Sequence, residues 1–582
     1  MKKKGTALLA LVLMMSMVLA ACGGKAETKT EGSTPSNTST NAEKGNAGNE
    51  SEAESGLIKA TDPTKVPDAA KARKDTLIIA TVDPKGVFNP MYQQTAYDFF
   101  INYTLFDTFV EVKADGTYTE SLASKVDVSE DGLKYTFHLK PDVKFTDGTP
   151  MTVKDYVFTL KMYLDKSYDG DSDLMAYNIV GAKEYNEGKA TDISGVKVLD
   201  DQTVEVTVSE ATALTYSTLG TVPILPEHYY GKAYKQGNLD GVKALNAKPL
   251  GSGQYVLKTF KPGQEVDLEA NASYFRGAPK IKNVIFKTGT DTTHLTNMTT
   301  GATDLNGDIA VTEDNVEELK ALGFANINLL PNNGYGYIAF NHKLDKFKDV
   351  KVRQALTYGL NRAEIVSAIY GPYAKVINIP QSNVSWSYTD ENIEKYDFDM
   401  EKAKQLLDEA GWKVGSNGIR EKDGKQFSIN FTATADNPVV DALLPVMTQN
   451  YQELGIKLEK ETLDFNAIID KQQTGDFEMF FAAWGLTPDP DTTTLITDGA
   501  QNRIGYSNPK VDELTKKGKY ELDLEKRKEI YKELYQEINK DVPTILMYQR
   551  SNMVTYSARV DGFDISPYKD YPYSLFQAQL QQ

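Results

Sequence analysis

A single cysteine, Cys22, in 582 residues excludes an intramolecular disulfide and any zinc centre built on paired thiolates. Stability therefore has to come from a large hydrophobic core. Histidine is nearly as scarce: His138, His228, His294 and His342 stand singly, without the H-E-x-x-H spacing of a metalloprotease. A serine nucleophile on a strained elbow is missing too. The nearest run, Leu250 to Gln254 (LGSGQ), lacks the G-x-S-x-G spacing and reads as a turn. Asp169, Asp171 and Asp173 begin like a calcium loop, but Leu174 stands where glycine is needed and Val180 where glutamate is, so this reads as a solvated loop. Close carboxylates such as Asp489 and Asp491 carry no acid–base signal, because 81 acidic residues produce such spacings by chance. Excess positive charge is also lacking. The formal net charge is −17, which speaks against nucleic acid as a partner. With none of these motifs, the expectation is a chain that is not an enzyme and needs no cofactor or metal.

Long apolar runs are confined to the N-terminus. Lys2, Lys3 and Lys4 precede the apolar run Ala7 to Ala20, which is shorter than the roughly 20 residues a membrane-spanning helix needs. Residues 1–21 thus read as a signal peptide. Leu19, Ala20, Ala21 and Cys22 resemble the lipobox of bacterial lipoproteins, in which the cysteine sulfur receives a lipid and becomes the new N-terminus. The expectation is a protein held at the outer face of the cell membrane by its N-terminal lipid. Residues 22–73 are rich in Gly, Ser, Thr, Asn, Glu and Lys and read as a flexible tether, of a kind suited to crossing a thick cell wall.

The rest of the chain exceeds what one core usually supports, so two or three lobes are expected. Strand and helix patterns mix throughout, as in an α/β protein. Tyr135, Phe137 and Leu139 alternate with polar residues, as do Val204, Val206 and Val208, which predicts half-buried strands. Thr152 with Asp155 predicts a capped helix through Leu164, and Asn361 with Glu364 predicts another. Ala403, Leu406, Leu407 and Ala410 share a helical face ended by Gly411, and Ile530, Leu534 and Ile538 mark a late helix.

Three ordered blocks carry a resemblance. Glu120 to Leu160 holds a strand, a Lys-Phe-Thr-Asp-Gly-Thr turn and a helix. Gly251 to Phe286 contains GSGQYVLKTF and NASYFRGAPK. Tyr337 to Tyr370 joins YIAFN to DVKVRQALTYGLNRAEIVSAIY. Together they resemble the peptide, nickel and opine family of large solute-binding proteins, which serve ABC-type importers. The resemblance implies a periplasmic-binding-protein-like clamshell of two α/β lobes joined by two hinge strands, plus an inserted third lobe. It places lobe I at 74–119, 196–334 and 547–582, the inserted lobe II at 120–195 and lobe III at 335–546. The hinge strands fall near Asn332 to Phe340 and Ile545 to Ser551. The implied protein is a monomer that captures small peptides or similar solutes between its lobes and delivers them to permease subunits.

For a peptide, exposed strand edges supply the main-chain contacts. Tyr335, Gly336 and Tyr337, and the stretch from Ala483 through Trp484, Gly485, Leu486 and Thr487, are the expected edges; Tyr548, Phe88 and Tyr177 complete the candidate set. The family places an ammonium-binding Asp three residues after the Trp matched by Trp484. Thr487 stands there, so Asp489, with Asp491 beyond it, is the nearest substitute. Two alternatives stay open: a non-peptide solute (an oligosaccharide stacked on Trp386 and Trp484, a nickel complex or an opine), and a wall-associated enzyme.

Overall fold

Residues 56–581 are described by the structure, a computed structural model, except 94, 436, 464, 491–493 and 500. Cys22, the leader and Asp491 lie outside the described residues.

One sheet of 13 strands runs through the molecule. Its main path is Lys457–Leu463, Ser428–Thr434, Met479–Gly485, Gly334–Phe340, Thr544–Ser557, Leu305–Asn306, Thr76–Thr81, Asn283–Thr288, Glu265–Ala270 and Tyr255–Lys261. The 14-residue strand Thr544–Ser557 belongs to both halves. Its first part pairs antiparallel with Gly336 to Ala339, and Ser551 to Ser557 pair with Pro331 to Ala325. The chain therefore crosses between lobes at two places, Asn332–Asn333 and Tyr548–Ser551. This is the α/β clamshell.

Local signals account for many elements. The helix Val153–Tyr163 opens on a reciprocal box between Thr152 and Asp155, and Asn361 accepts the N–H of Glu364 at the start of Arg362–Tyr370. Gly411, one residue past the Ala410 cap of the helix Met400–Glu409, takes a φ of 86°, a conformation open to glycine at little cost. The late helix is Leu524–Asp541, with Leu534 and Ile538 buried. Strands Lys134–Leu139 and Thr203–Thr207 bury alternate side chains.

Two expected boundaries move. The four-stranded sheet of the inserted segment runs from Ala123 to Thr207, past residue 195, because Val196–Asp200 and Thr203–Thr207 form a hairpin on it. Its side chains Phe137, Tyr156 and Val206 share one continuous core with Leu77, Ile79 and Phe286 of lobe I. The segment from residue 56 to 73 is folded, not tether. Gly56–Ile58 pairs with Leu329 to Ile327, and Val66 and Ala70 sink into a small core with Met298 and Ile327. A few apolar side chains in a polar stretch suffice once a sheet edge offers them a surface. Lobe III has its own core around Ile338, Phe431, Met479 and Ile545.

Candidate functional site

The crossing strands are tied together by Gln549, a buried residue of the long strand. Its amide nitrogen lies 2.8 Å from the Asn332 carbonyl and 2.7 Å from Ser382 Oγ, and its oxygen accepts the N–H of Asn383. Asn332 in turn donates its N–H to the Arg550 carbonyl. Cleft geometry thus rests on a satisfied polar knot at the crossing point.

Beside it lies a cavity of about 660 Å³. It opens beyond the carboxyl ends of the parallel strands Ser428–Thr434 and Met479–Gly485, where ligands of open α/β sheets are held. Tyr335, Tyr337, Phe480 and Trp484 wall it, and Arg503 and Arg550 border it. Burial pushes the Tyr337 phenol up to about 12. Two smaller cavities, about 400 and 520 Å³, adjoin the loop after Trp484 from the lobe I side and share Phe99, Tyr103 and Thr487. The lobes touch across the cleft: Ala213 donates its N–H to the Lys519 carbonyl at 3.0 Å.

Most candidate residues gather here. Tyr335, Tyr337, Trp484 and Tyr548 line the large cavity; Leu486 and Thr487 border the 400 Å³ cavity, and Tyr177 the 520 Å³ one. Gly336 has a packing reason: a Cβ there would come 2.7 Å from the Tyr548 ring. Phe88 does not join them. It is fully buried in the lobe I core, edge-on to Phe260 at 5.1 Å, because the chain enters that core directly after the first lobe I strand.

The expected backbone edges need correction. Tyr335, Gly336 and Tyr337 pair with Trp484, Ala483 and Ala482 on one side, and Gly336 and Tyr337 also pair with the long strand on the other. Leu486 donates its N–H to the Asn333 carbonyl, and its own carbonyl accepts from the Asn333 side-chain amide nitrogen. The edge that remains is the outer side of Phe481 to Gly485. Ser428–Thr434 meets this strand only at Met479 and Phe480, so the stretch beyond has no second strand neighbour among the described residues.

Asp489 is already neutralised. Arg527, in the first turn of Leu524–Asp541, donates to both its oxygens at 2.6 and 2.7 Å, and the pair is largely buried. The guanidinium also donates to the Gly518 carbonyl and stacks on Trp386, 4.7 Å from the ring centre. A carboxylate held bidentately by arginine has little left to offer a ligand's ammonium group. The same stacking removes Trp386 from the set of open sugar platforms. Sequence reasoning missed Arg527, Gln549 and the aromatic wall of Phe99, Tyr103 and Tyr573. Arg527 stands in a charged helical turn like any surface residue, and nothing near it in the chain marks its partner.

A clamshell with cavities at its crossing strands is an architecture suited to enclosing a solute, and comparison with known proteins agrees. The family model "Bacterial extracellular solute-binding proteins, family 5 Middle" matches residues 117–506, and the chain belongs to this family. The oligopeptide-binding protein AppA of Bacillus subtilis (strain 168) is 28% identical over 505 residues, 85% of this chain and 90% of its own length. The dipeptide-binding protein of Escherichia coli (strain K12) is 27% identical over 529 residues, covering 86% and 94%. The structure of Bacillus subtilis AppA in complex with a nonapeptide superposes with a TM-score of 0.73 at 27% identity, covering 87% of this chain and 99% of that one. CtaP, an ABC transporter substrate-binding protein of Listeria monocytogenes, gives a TM-score of 0.75 at 25% identity, covering 88% and 100%.

Proposed function

We propose that this protein captures peptides in the cleft between its lobes and hands them to the permease of an ABC importer, as a monomer without catalytic activity, held at the outer face of the membrane by a lipid on Cys22. The observation that carries the reading is the edge of Phe481 to Gly485, which has no second strand neighbour among the described residues and opens on a cavity of about 660 Å³. Such an edge binds an extended main chain through hydrogen bonds that ignore side-chain identity, while the cavity takes up a side chain. Relatives named for oligopeptides and dipeptides, and one solved with a nonapeptide, support the same ligand class. Tyr335, Trp484 and Tyr548 serve in this reading as cavity walls, Gly485 as edge backbone, and Thr487 and Tyr177 as rim.

The test is thermal unfolding of the mature protein with mixed short peptides, oligosaccharides and nickel in parallel. A ligand at a hundred times its Kd stabilises by about 2.7 kcal/mol. Peptides alone should raise the unfolding temperature, and small-angle scattering should show compaction with the same peptides. A response only to sugars or nickel refutes the peptide reading. For the anchor, mass spectrometry of the mature protein should find a lipid-modified Cys22 at its N-terminus. An unmodified terminus elsewhere refutes it.

A further inference from the structure

The 400 Å³ cavity holds a carboxylate with no cation to balance it among the described residues. Asp570 caps the short helical segment Tyr571–Gln577, and one of its oxygens accepts the Tyr571 N–H at 2.7 Å. The neighbouring lysine, Lys569, is taken up by Asp564 at 3.0 Å. Among the described residues, no lysine, arginine or histidine lines the cavity. The other acid on its wall, Glu111, is held bidentately by Arg276 at 3.1 and 2.7 Å. Burial raises the Asp570 carboxyl to about 6, because one N–H does not offset the water it has lost.

The remaining walls are aromatic. Tyr103 and Tyr573 pack with ring centres 4.2 Å apart, Phe99 meets Tyr103 edge-on at 4.4 Å, and Tyr118 and Tyr568 close the sides. Aromatic faces attract cations, more strongly where water is scarce. A carboxylate without a counter-ion inside an aromatic enclosure is complementary to an organic cation and to little else.

We propose that Asp570 receives a cationic group of the ligand, an ammonium or guanidinium, within this aromatic cavity. The inference rests on the peptide reading above. In a peptide the cation has two sources, the N-terminal amine and a basic side chain.

Calorimetry on wild type, Asp570→Asn and Asp570→Glu separates them, using pentaalanine, N-acetyl-pentaalanine and N-acetyl-Ala-Ala-Lys-Ala-Ala. Asparagine keeps an acceptor for the Tyr571 N–H, and circular dichroism checks that each variant folds. Asp570→Asn should weaken a cation-bearing probe at least tenfold and N-acetyl-pentaalanine less than twofold, and Asp570→Glu should retain part of the preference. A loss on pentaalanine assigns the N-terminal amine; a loss on the lysine peptide assigns the side chain. Equal losses on the neutral and charged probes, or no loss on any, overturn the proposal. If no peptide binds wild type, the peptide reading fails by itself and cadaverine becomes the probe. A thermal shift by cadaverine in wild type but not in Asp570→Asn upholds the cation site, and equal or absent shifts in both overturn it.

Discussion

Asp489 follows the loop that borders the 400 Å³ cavity and Asp570 lines that cavity from lobe I, and their surroundings differ in one respect that decides their chemistry. Asp489 meets a guanidinium that forks onto both its oxygens, and that guanidinium lies on an indole. Asp570 meets phenol and phenyl rings and one backbone N–H. The first carboxylate is part of the frame that positions the loop after Trp484. The second holds a charge whose balance has to come from outside the protein. Position near a ligand cleft therefore says less about a carboxylate's role than the neighbour that reaches it first.

The comparison is broken most severely by removing the guanidinium. Arg527→Ala leaves Asp489 part-buried without a partner and strips Trp386 of its stack, and should cost about 3–5 kcal/mol in urea unfolding. A cost under 1 kcal/mol would show that the pair does not frame the loop. Asp489→Asn removes the charge but keeps an acceptor for Arg527, and should cost about 2 kcal/mol. The affinity lost on acetylating a peptide's N-terminus should be the same in this variant as in wild type. A smaller acetylation penalty in Asp489→Asn would return the ammonium group to that loop.

The smallest effect has the opposite sign. The folded-state pKa of Asp570, about 6, lies above its ordinary value of 3.8. Its contribution to stability is therefore fully present below pH 4 and is lost as pH rises through 6. The titratable groups near it include Tyr103, Tyr118, Tyr568, Tyr571 and Tyr573, all phenols raised by burial and neutral throughout this range, with Glu111 paired to Arg276 and Lys569 paired to Asp564. Asp570→Asn should thus stabilise the ligand-free protein by about 1–2 kcal/mol at pH 7.5, with the difference gone at pH 4. Thermal melts at the two pH values check this. A destabilised variant at pH 7.5 would mean that a cation of the protein already serves Asp570.

Much of the fold was legible because its signals are short. A capping box spans four residues, as at Thr152 and Asp155, and strand alternation shows within six, as at Lys134–Leu139. The candidate site was legible only in part. Trp484, Tyr335 and Tyr548 do border the large cavity, but Phe88 is core and the Tyr335–Tyr337 backbone is paired. An apolar side chain looks the same in a sequence whether it ends in a core or on a cavity wall. A backbone group gives no sign of whether a strand will lie beside it.

By itself, then, the sequence determined the α/β character, the helix caps, the polar segment ahead of the folded body and, through three ordered blocks, the family resemblance. Those features depend on residues a few positions apart or on long stretches of pattern. Tertiary structure alone decided that Phe481 to Gly485 keeps an edge without a second strand neighbour among the described residues, that residues 56–73 fold onto the sheet, and which carboxylate is paired with arginine. Arg527 lies 38 residues from Asp489, and the rings around Asp570 include Phe99 and Tyr103 from the other end of the chain. Charge balance and strand pairing act through space, over a few ångströms, between residues whose separation along the chain says nothing of their distance.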